Sequence, residues 1–282
     1  MSNKVFDTER AAAYYDDAGV SKFYKQCWGG EDIHIGLYAT GDESVGEASA
    51  AMTQHLIECA GVTEGDRILD IACGFGGTLR MLARLGCQVK GADISENCVR
   101  LARGLNSEAG LANRIEVVSG DFHNIRSEPD TWDAVICQES IIHSDDRPKV
   151  FSEVFRVLRP GGVFAFSDIL TGEKADLAIV EAAFSRLGAS AGATISDYQE
   201  MACSAGFTIS YVEERLGDIR THYDKLATEL ANPVIDLDAD VRDAISKSIS
   251  RWQAALAEGY ITWACFVVRK PTRFGEAMAP DQ

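Results

Sequence analysis

The sequence predicts an α/β protein built on a mostly parallel, doubly wound sheet. Three observations predict it. Apolar runs of strand length alternate with helix-length segments from Arg67 to Asp168. A glycine-rich turn follows the first of these runs directly. Asp70, Asp93 and Asp121 each fall at, or just after, the C-terminal end of a strand run. Strands that alternate with helices pair in parallel and are covered on both faces.

The elements follow in order. Residues 8–27 read as helical, broken near Gly19 and rich in aromatics (Tyr14, Tyr15, Phe23, Tyr24). A loop over 28–43 carries Trp28-Gly29-Gly30 and His34-Ile35-Gly36. A helix runs from Ser44 to Ala60, with Ser44 as its cap and Glu47 three residues on. Strand Arg67–Ala72 then feeds helix Gly77–Leu85, strand Gln88–Asp93, and a helix capped by Ser95 that ends near Gly110. Strands 114–119 and 132–137 follow, then helix Arg147–Leu158, stopped by Pro160-Gly161-Gly162, and strand Val163–Asp168. Beyond Asp168 the alternation breaks. Helices at 173–187 and 195–205 precede a strand at 207–213, helices at 217–231 and 237–257, and a last strand at 262–268, making seven strands in all. The tail from Lys270 reads as frayed. Residues 1–60 are therefore expected to close over a core at 61–170, with 171–258 as a helical lid holding one sheet strand, 259–270 as the final core strand and 271–282 as tail.

Composition narrows the function. The 282 residues carry a formal net charge of −16, which argues against nucleic acid or an anionic membrane as partner, since both need a positive surface. No apolar stretch approaches the ~20 residues that cross a bilayer, and Met1–Arg10 lacks the pattern of a secretory leader. The eight cysteines are scattered with no Cys-x-x-Cys pair, which reads as reduced, buried cysteine in a cytoplasmic protein, with no metal expected. Neither monomer nor homodimer is favoured by the sequence.

A strand that runs into glycines and then a helix is a ligand cradle. Glycine lets the backbone turn and approach the ligand, and the helix start offers free N–H groups. Gly74 and Gly76 fit the first two glycines of a dinucleotide fingerprint, but Leu79 holds the third position and the polar Asp70 ends the strand. Asp-x-x-x-Gly-x-Gly resembles the loop of class I S-adenosylmethionine-dependent methyltransferases, a Rossmann-like fold. In that class the loop faces the methionine end of the cofactor. Asp93, about 20 residues past the loop, is placed to take both ribose hydroxyls. Asp121, in Gly120-Asp121-Phe122, matches the position that meets the adenine amino group.

Over nearly the whole chain the resemblance is to the sarcosine/dimethylglycine N-methyltransferases that make glycine betaine. It is carried by Trp28-Gly29-Gly30-Glu31-Asp32-Ile33-His34-Ile35-Gly36-Leu37-Tyr38, by Gln138-Glu139-Ser140-Ile141-Ile142-His143-Ser144, by His222-Tyr223, and by Tyr260-Ile261-Thr262-Trp263 leading to Arg269-Lys270. The core also resembles the phosphoethanolamine methyltransferases. Where family members have Gln-Asp-Ala-Phe-Leu-His-Ser, this chain has Glu139, Ser140, Ile141 and Ile142; where they have Leu-Thr-Trp-Gly, it has Ile261-Thr262-Trp263-Ala264. The resemblance implies that Tyr15, Trp28, Ile35, Gly36, Gly74, Asp93, Ile94, Asp121, Phe122 and Gln138 contact the cofactor, beside Asp70 and Gly76 of the loop. It implies that His143 and Tyr15 meet near the transferring methyl group, and that Tyr15, Trp28, His143, His222, Tyr223 and Trp263 surround a small-molecule acceptor.

Methyl transfer from a sulfonium is an in-line displacement, so alignment and exclusion of water are the main demands. A secondary amine is mostly protonated at neutral pH, and His143 is the candidate to take that proton, with Tyr15 beside it. An acceptor carboxylate would call for an arginine; Arg186 and Arg220 both fall in the lid. The expected activity is N-methylation of sarcosine or dimethylglycine. The alternatives are phosphoethanolamine-type N-methylation, S-methylation of a methionine-like thioether, and a cofactor-binding regulator without catalysis.

Overall fold

The computed structural model describes residues 8–187, 189 and 192–272. Its elements are α1 (Thr8–Asp16), α2 (Ala18–Cys27), α3 (Val45–Ala60), β1 (Arg67–Asp70), α4 (Gly77–Leu85), β2 (Gln88–Asp93), α5 (Glu96–Glu108), β3 (Ile115–Ser119), β4 (Trp132–Gln138), α6 (Arg147–Val157), β5 (Leu158–Thr171), α7 (Leu177–Phe184), α8 (Ile195–Ser204), β6 (Thr208–Glu214), α9 (Leu216–Ala231), α10 (Ala239–Ala257) and β7 (Ile261–Arg269). Seven strands form one sheet in the order β3-β2-β1-β4-β5-β7-β6. The first five are parallel, and β7 runs antiparallel between β5 and β6. The chain reverses direction across the sheet at β1/β4, the crevice where open α/β sheets hold ligands.

Alternate residues of the central strands serve two cores. Ile68, Ile136, Ala165, Cys265 and Val267 join one with α3, α4, α5, α7, α9 and α10. Leu69, Val135, Phe164, Phe166 and Phe266 join the other with α6 and α8. A strand buried on both faces reads as an unbroken apolar run, which is how β4 and β7 read in the sequence.

Local chemistry sets the ends. Ser44 and Glu47 form a reciprocal capping box at the start of α3. Asp17, whose side chain accepts from Val20 N–H, separates α1 from α2, so the break lies two residues before Gly19. Leu158 to Gly162 belongs to β5 rather than to a stop after α6, because Trp132 pairs with Leu158 across a bulge. Lys270 is not frayed. Its N–H donates to Gly162 O, and its ammonium donates to Asp130 and to the carbonyls of Phe155 and Leu158. The tail from 273 lies outside the described residues.

Candidate active site

The loop after β1 is built by glycine. Gly74 (φ +50°) and Gly76 (φ +82°) take left-handed backbone that other residues avoid, and Gly76 caps α4. This loop borders an open cavity of about 890 Å³, counted with the solvent at its mouth, lined among others by Asp70, Gly74, Asp93, Ile94, Asp121, Phe122, Gln138, Tyr15 and His143. Asp32, Ile33, Thr78 and His123, which no motif in the sequence singles out as contacts, line it too.

The three strand-end acids all face this cavity. Asp93 accepts from Gly74 N–H (2.8 Å) and Ser95 N–H (2.9 Å); burial nonetheless pushes its carboxyl up to about 6. Asp70 accepts from Ala72 N–H (3.1 Å), and burial, helped by Asp93, pushes it up to about 7. Asp121 is opposed by burial but held below its usual range by the ring and N–H of His123, each 2.8 Å away. His123 continues through Nε2 to Ser144 Oγ (2.7 Å), next to His143. The side chain of Gln138 accepts from Thr78 at 3.0 Å, while its Nε2 is buried without a partner among the described residues. Two buried carboxylates raised out of their range and an orphaned amide donor mark this wall as a polar binding surface.

A second cavity of about 400 Å³ adjoins the first, sharing Tyr15, Ile33, His34, Glu139 and His143 with it. Tyr24, Trp28, Ile35, Ile142, Ile169, Leu187 and Tyr223 complete its wall. At the junction Tyr15 Oη lies 3.2 Å from His143 Nε2. Burial, with Arg147 nearby, lowers the imidazole to about 4, so it is neutral at physiological pH and shares with the tyrosine hydroxyl a hydrogen bond whose direction follows the ring's tautomer. Trp28 and Ile35 thus line the second cavity rather than the first.

Three residues that the sequence assigns to direct contact stand behind the walls. His222 is fully buried and lines neither cavity; its Nδ1 accepts from Gly36 N–H (3.2 Å) and Tyr38 Oη (3.0 Å), and its ring packs on Trp28 with centroids 4.7 Å apart. Gly36 also lines neither cavity: a Cβ there would lie 2.5 Å from that of Ala48, so the position serves the packing of the 34–38 segment on α3. Trp263 is fully buried, and its Nε1–H donates to Glu139 (2.7 Å).

Glu139 is the residue that the sequence reading leaves as a mere departure from the family pattern. It sits just past β4 with φ +47°, rare for a residue with a side chain. Its carboxylate accepts from Trp263 and from Ile35 N–H (2.9 Å) while facing both cavities. Burial raises its pKa, against the pull of His34. His34 itself is raised to about 9: burial would lower it, but Asp32 (3.5 Å) outweighs burial and Glu139 adds to it. No arginine or lysine lines the second cavity among the described residues. Arg220 donates to the carbonyls of Leu256 and Ala257, and the side chain of Arg186 lies outside the described residues.

The fold and the glycine-loop cavity, with an acid at the end of each of the first two strands, define a class I methyltransferase. Comparison with known proteins agrees. The methyltransferase-domain family matches residues 68–162. The dimethylglycine N-methyltransferase of Parasynechococcus marenigrum is 32% identical over 93% of this chain and 95% of its own. The sarcosine/dimethylglycine N-methyltransferase of Halorhodospira halochloris is 31% identical over 93% of this chain and 96% of its own. A crystal structure from Galdieria sulphuraria, provisionally described as a sarcosine dimethylglycine methyltransferase, superimposes with a TM-score of 0.83 at 28% identity, covering 89% of this chain and 98% of that one. The chain belongs to the sarcosine/dimethylglycine N-methyltransferase family of S-adenosylmethionine-dependent enzymes.

Proposed function

We propose that this enzyme N-methylates sarcosine, dimethylglycine or both, towards glycine betaine. The observation that carries the reading is the joined pair of cavities with Tyr15 and His143 at their junction. The larger cavity takes S-adenosylmethionine. Asp93 is assigned to the ribose hydroxyls, Asp121 and Phe122 to the adenine, and Asp70 and Gln138 to the methionine end. When bound, the cofactor supplies an electrophilic methyl group on a sulfonium. The smaller cavity is sized for a small acceptor. The rings of Tyr15, Tyr24, Trp28 and Tyr223 give it faces that attract an onium group, each good contact worth ~0.5–2 kcal/mol. Glu139 adds a negative partner for the same charge.

His143 and Tyr15 act on the proton. The acceptor must arrive as, or become, a free amine with a nitrogen lone pair. A neutral imidazole with a phenol hydrogen-bonded to it can receive the ammonium proton and relay it outward, while aromatic walls exclude water. The charge of −16 supports a small-molecule substrate rather than nucleic acid or an anionic membrane as partner. No described helix is long and apolar enough to cross a membrane.

One observation favours a second reading. With His143 lowered to about 4, a methionine-like thioether, which loses no proton, also suits the cavity. Purified enzyme with S-adenosylmethionine should be offered glycine, sarcosine, dimethylglycine, phosphoethanolamine and methionine. Turnover of sarcosine or dimethylglycine, with a steep loss in His143→Ala, is expected. If both amines stay unmethylated while methionine turns over in wild type and His143→Ala alike, the thioether reading replaces it.

A further inference from the structure

On the side of α3 away from the cavities, four side chains of metal-binding chemistry converge from three elements. His55 and Cys59 lie one turn apart on α3, and Glu213 of β6 stands directly opposite Cys265 of β7 in the strand register. His55 Nε2 is 3.1 Å from Glu213 Oε2 and 3.6 Å from Cys59 Sγ. Cys265 Sγ is 3.9 Å from the same Glu213 oxygen, and the donor atoms of His55, Glu213 and Cys265 all lie within 4.8 Å of one another. Bonds of about 2.0–2.3 Å to a tetrahedral zinc ion place neighbouring donors about 3.3–3.8 Å apart. The His55–Glu213, His55–Cys59 and Glu213–Cys265 contacts are close to three edges of such a tetrahedron; Cys59 stands outside the group of three and reaches it through His55, so its thiol would swing in to complete the set.

We propose that His55, Cys59, Glu213 and Cys265 bind one thiolate-seeking divalent cation of the zinc type, a site separate from the methyl-transfer cavities. The donor set selects the ion: two sulfurs and an imidazole are soft or borderline ligands, poor for magnesium or calcium and good for zinc. On binding, both thiols give their protons to solvent and two sulfur–metal bonds form. The two thiolates and the carboxylate then contribute three negative charges, balanced by the dication and by Arg215, which holds the other Glu213 oxygen at 2.7 Å. Tyr211 donates to Glu213 Oε2 at 2.7 Å and orients it, as outer groups orient metal-bound carboxylates. The ion would tie α3 to the β6 edge of the sheet. α3 also carries Ser49 and Thr53, which hold His34 at the cavity wall (3.0 and 2.9 Å), so the tie bears on the stability of that wall. Scattered in sequence, these ligands show no Cys-x-x-Cys spacing, which is why no metal is expected from the sequence alone.

Reduced, metal-free enzyme titrated with cobalt(II) tests the proposal. One equivalent per chain should produce a thiolate-to-metal charge-transfer band and the strong visible bands of four-coordinate cobalt, and zinc should bleach both. Cys59→Ser and Cys265→Ser should each remove about half of the charge-transfer intensity, and His55→Ala should abolish tight binding. Cys265 is buried, so if Cys265→Ser fails to fold, the partly exposed Cys59 and His55 carry the test. Zinc should also raise the melting temperature of wild type and not of His55→Ala. Absence of a charge-transfer band, or a band that survives both cysteine substitutions, overturns the proposal.

Discussion

The Trp263 indole donates to the Glu139 carboxylate across 2.7 Å, from behind the wall of the second cavity. Trp263 therefore positions an acid that lines both cavities while lining neither itself among the described residues. Trp263→Phe keeps a ring in place and deletes the donor. Leaving a buried carboxylate short of a partner should cost about 1–3 kcal/mol of stability. Glu139 should rise further in pKa and the rate should fall at neutral pH, recovering partly as pH rises. Guanidinium unfolding and a kcat/KM–pH profile read both effects. An unchanged profile would leave Trp263 with a packing role alone.

Cofactor affinity should depend on pH through Asp70 and Asp93. Burial raises them to about 7 and about 6, so below those values each carries a proton in the empty enzyme. Holding an ammonium group requires the Asp70 carboxylate ionised, so binding must expel that proton. Affinity for S-adenosylmethionine should weaken as pH falls below about 7, by up to about tenfold per pH unit. Asp70→Asn should bind more weakly and flatten this dependence. Calorimetry in buffers of different ionisation enthalpy measures the released proton directly.

Asp93→Asn isolates the second acid. Gly74 N–H and Ser95 N–H each have a carboxylate oxygen now, and an amide can offer only one acceptor to the two of them. With charge-assisted bonds to the ribose also lost, affinity should fall about 10- to 100-fold, from roughly 1.5–3 kcal/mol. Near-wild-type binding in calorimetry would remove Asp93 from the ribose contact.

These acids were legible because topology fixes them: a residue ending a parallel strand beside β1 must face the crevice, whatever the packing elsewhere. The pairing of Tyr15 with His143 rests on resemblance alone, since no local spacing reveals a contact across 128 positions. His222 and Trp263, expected against the acceptor, and Gly36, expected against the cofactor, line neither cavity. Pattern shows that such residues belong together but not which side of a wall each occupies. Glu139 showed in the sequence only as a departure, because its importance comes from a backbone bend at φ +47° and from two donors supplied by distant segments.

Gly36→Ala tests one of those corrections. The added methyl would meet Ala48 Cβ at 2.5 Å and its carbonyl carbon at 2.8 Å, and backbone cannot swing aside as a side-chain tip can. Overpacking of this kind costs about 1–3 kcal/mol. Denaturant unfolding should show that loss, with the 34–38 segment and the Ile35 contact to Glu139 displaced and KM for the acceptor raised. A stable variant with unchanged KM would show that the segment yields freely.

Two buried histidines should bend the pH–stability curve in opposite senses. His34 is raised to about 9, above its ordinary ~6.5, because Asp32 and Glu139 outweigh its burial. Its contribution is complete below about pH 6.5 and is lost as pH rises through about 9. His222 is lowered to about 3, chiefly by burial, and is neutral in the fold. Its neutral form suits the fold above about 6.5, and stability is lost as pH falls from there towards about 3, because the unfolded chain takes up the proton first. His34→Gln should therefore remove part of the alkaline slope and leave the acid side unchanged. His222→Asn, whose carbonyl can still accept from Gly36 N–H, should flatten the acid side. Each effect should be on the order of 1–3 kcal/mol across its window. Guanidinium midpoints for wild type and both variants between about pH 5 and pH 10 separate the two slopes. Parallel curves for all three proteins would show that neither imidazole changes its proton affinity on folding.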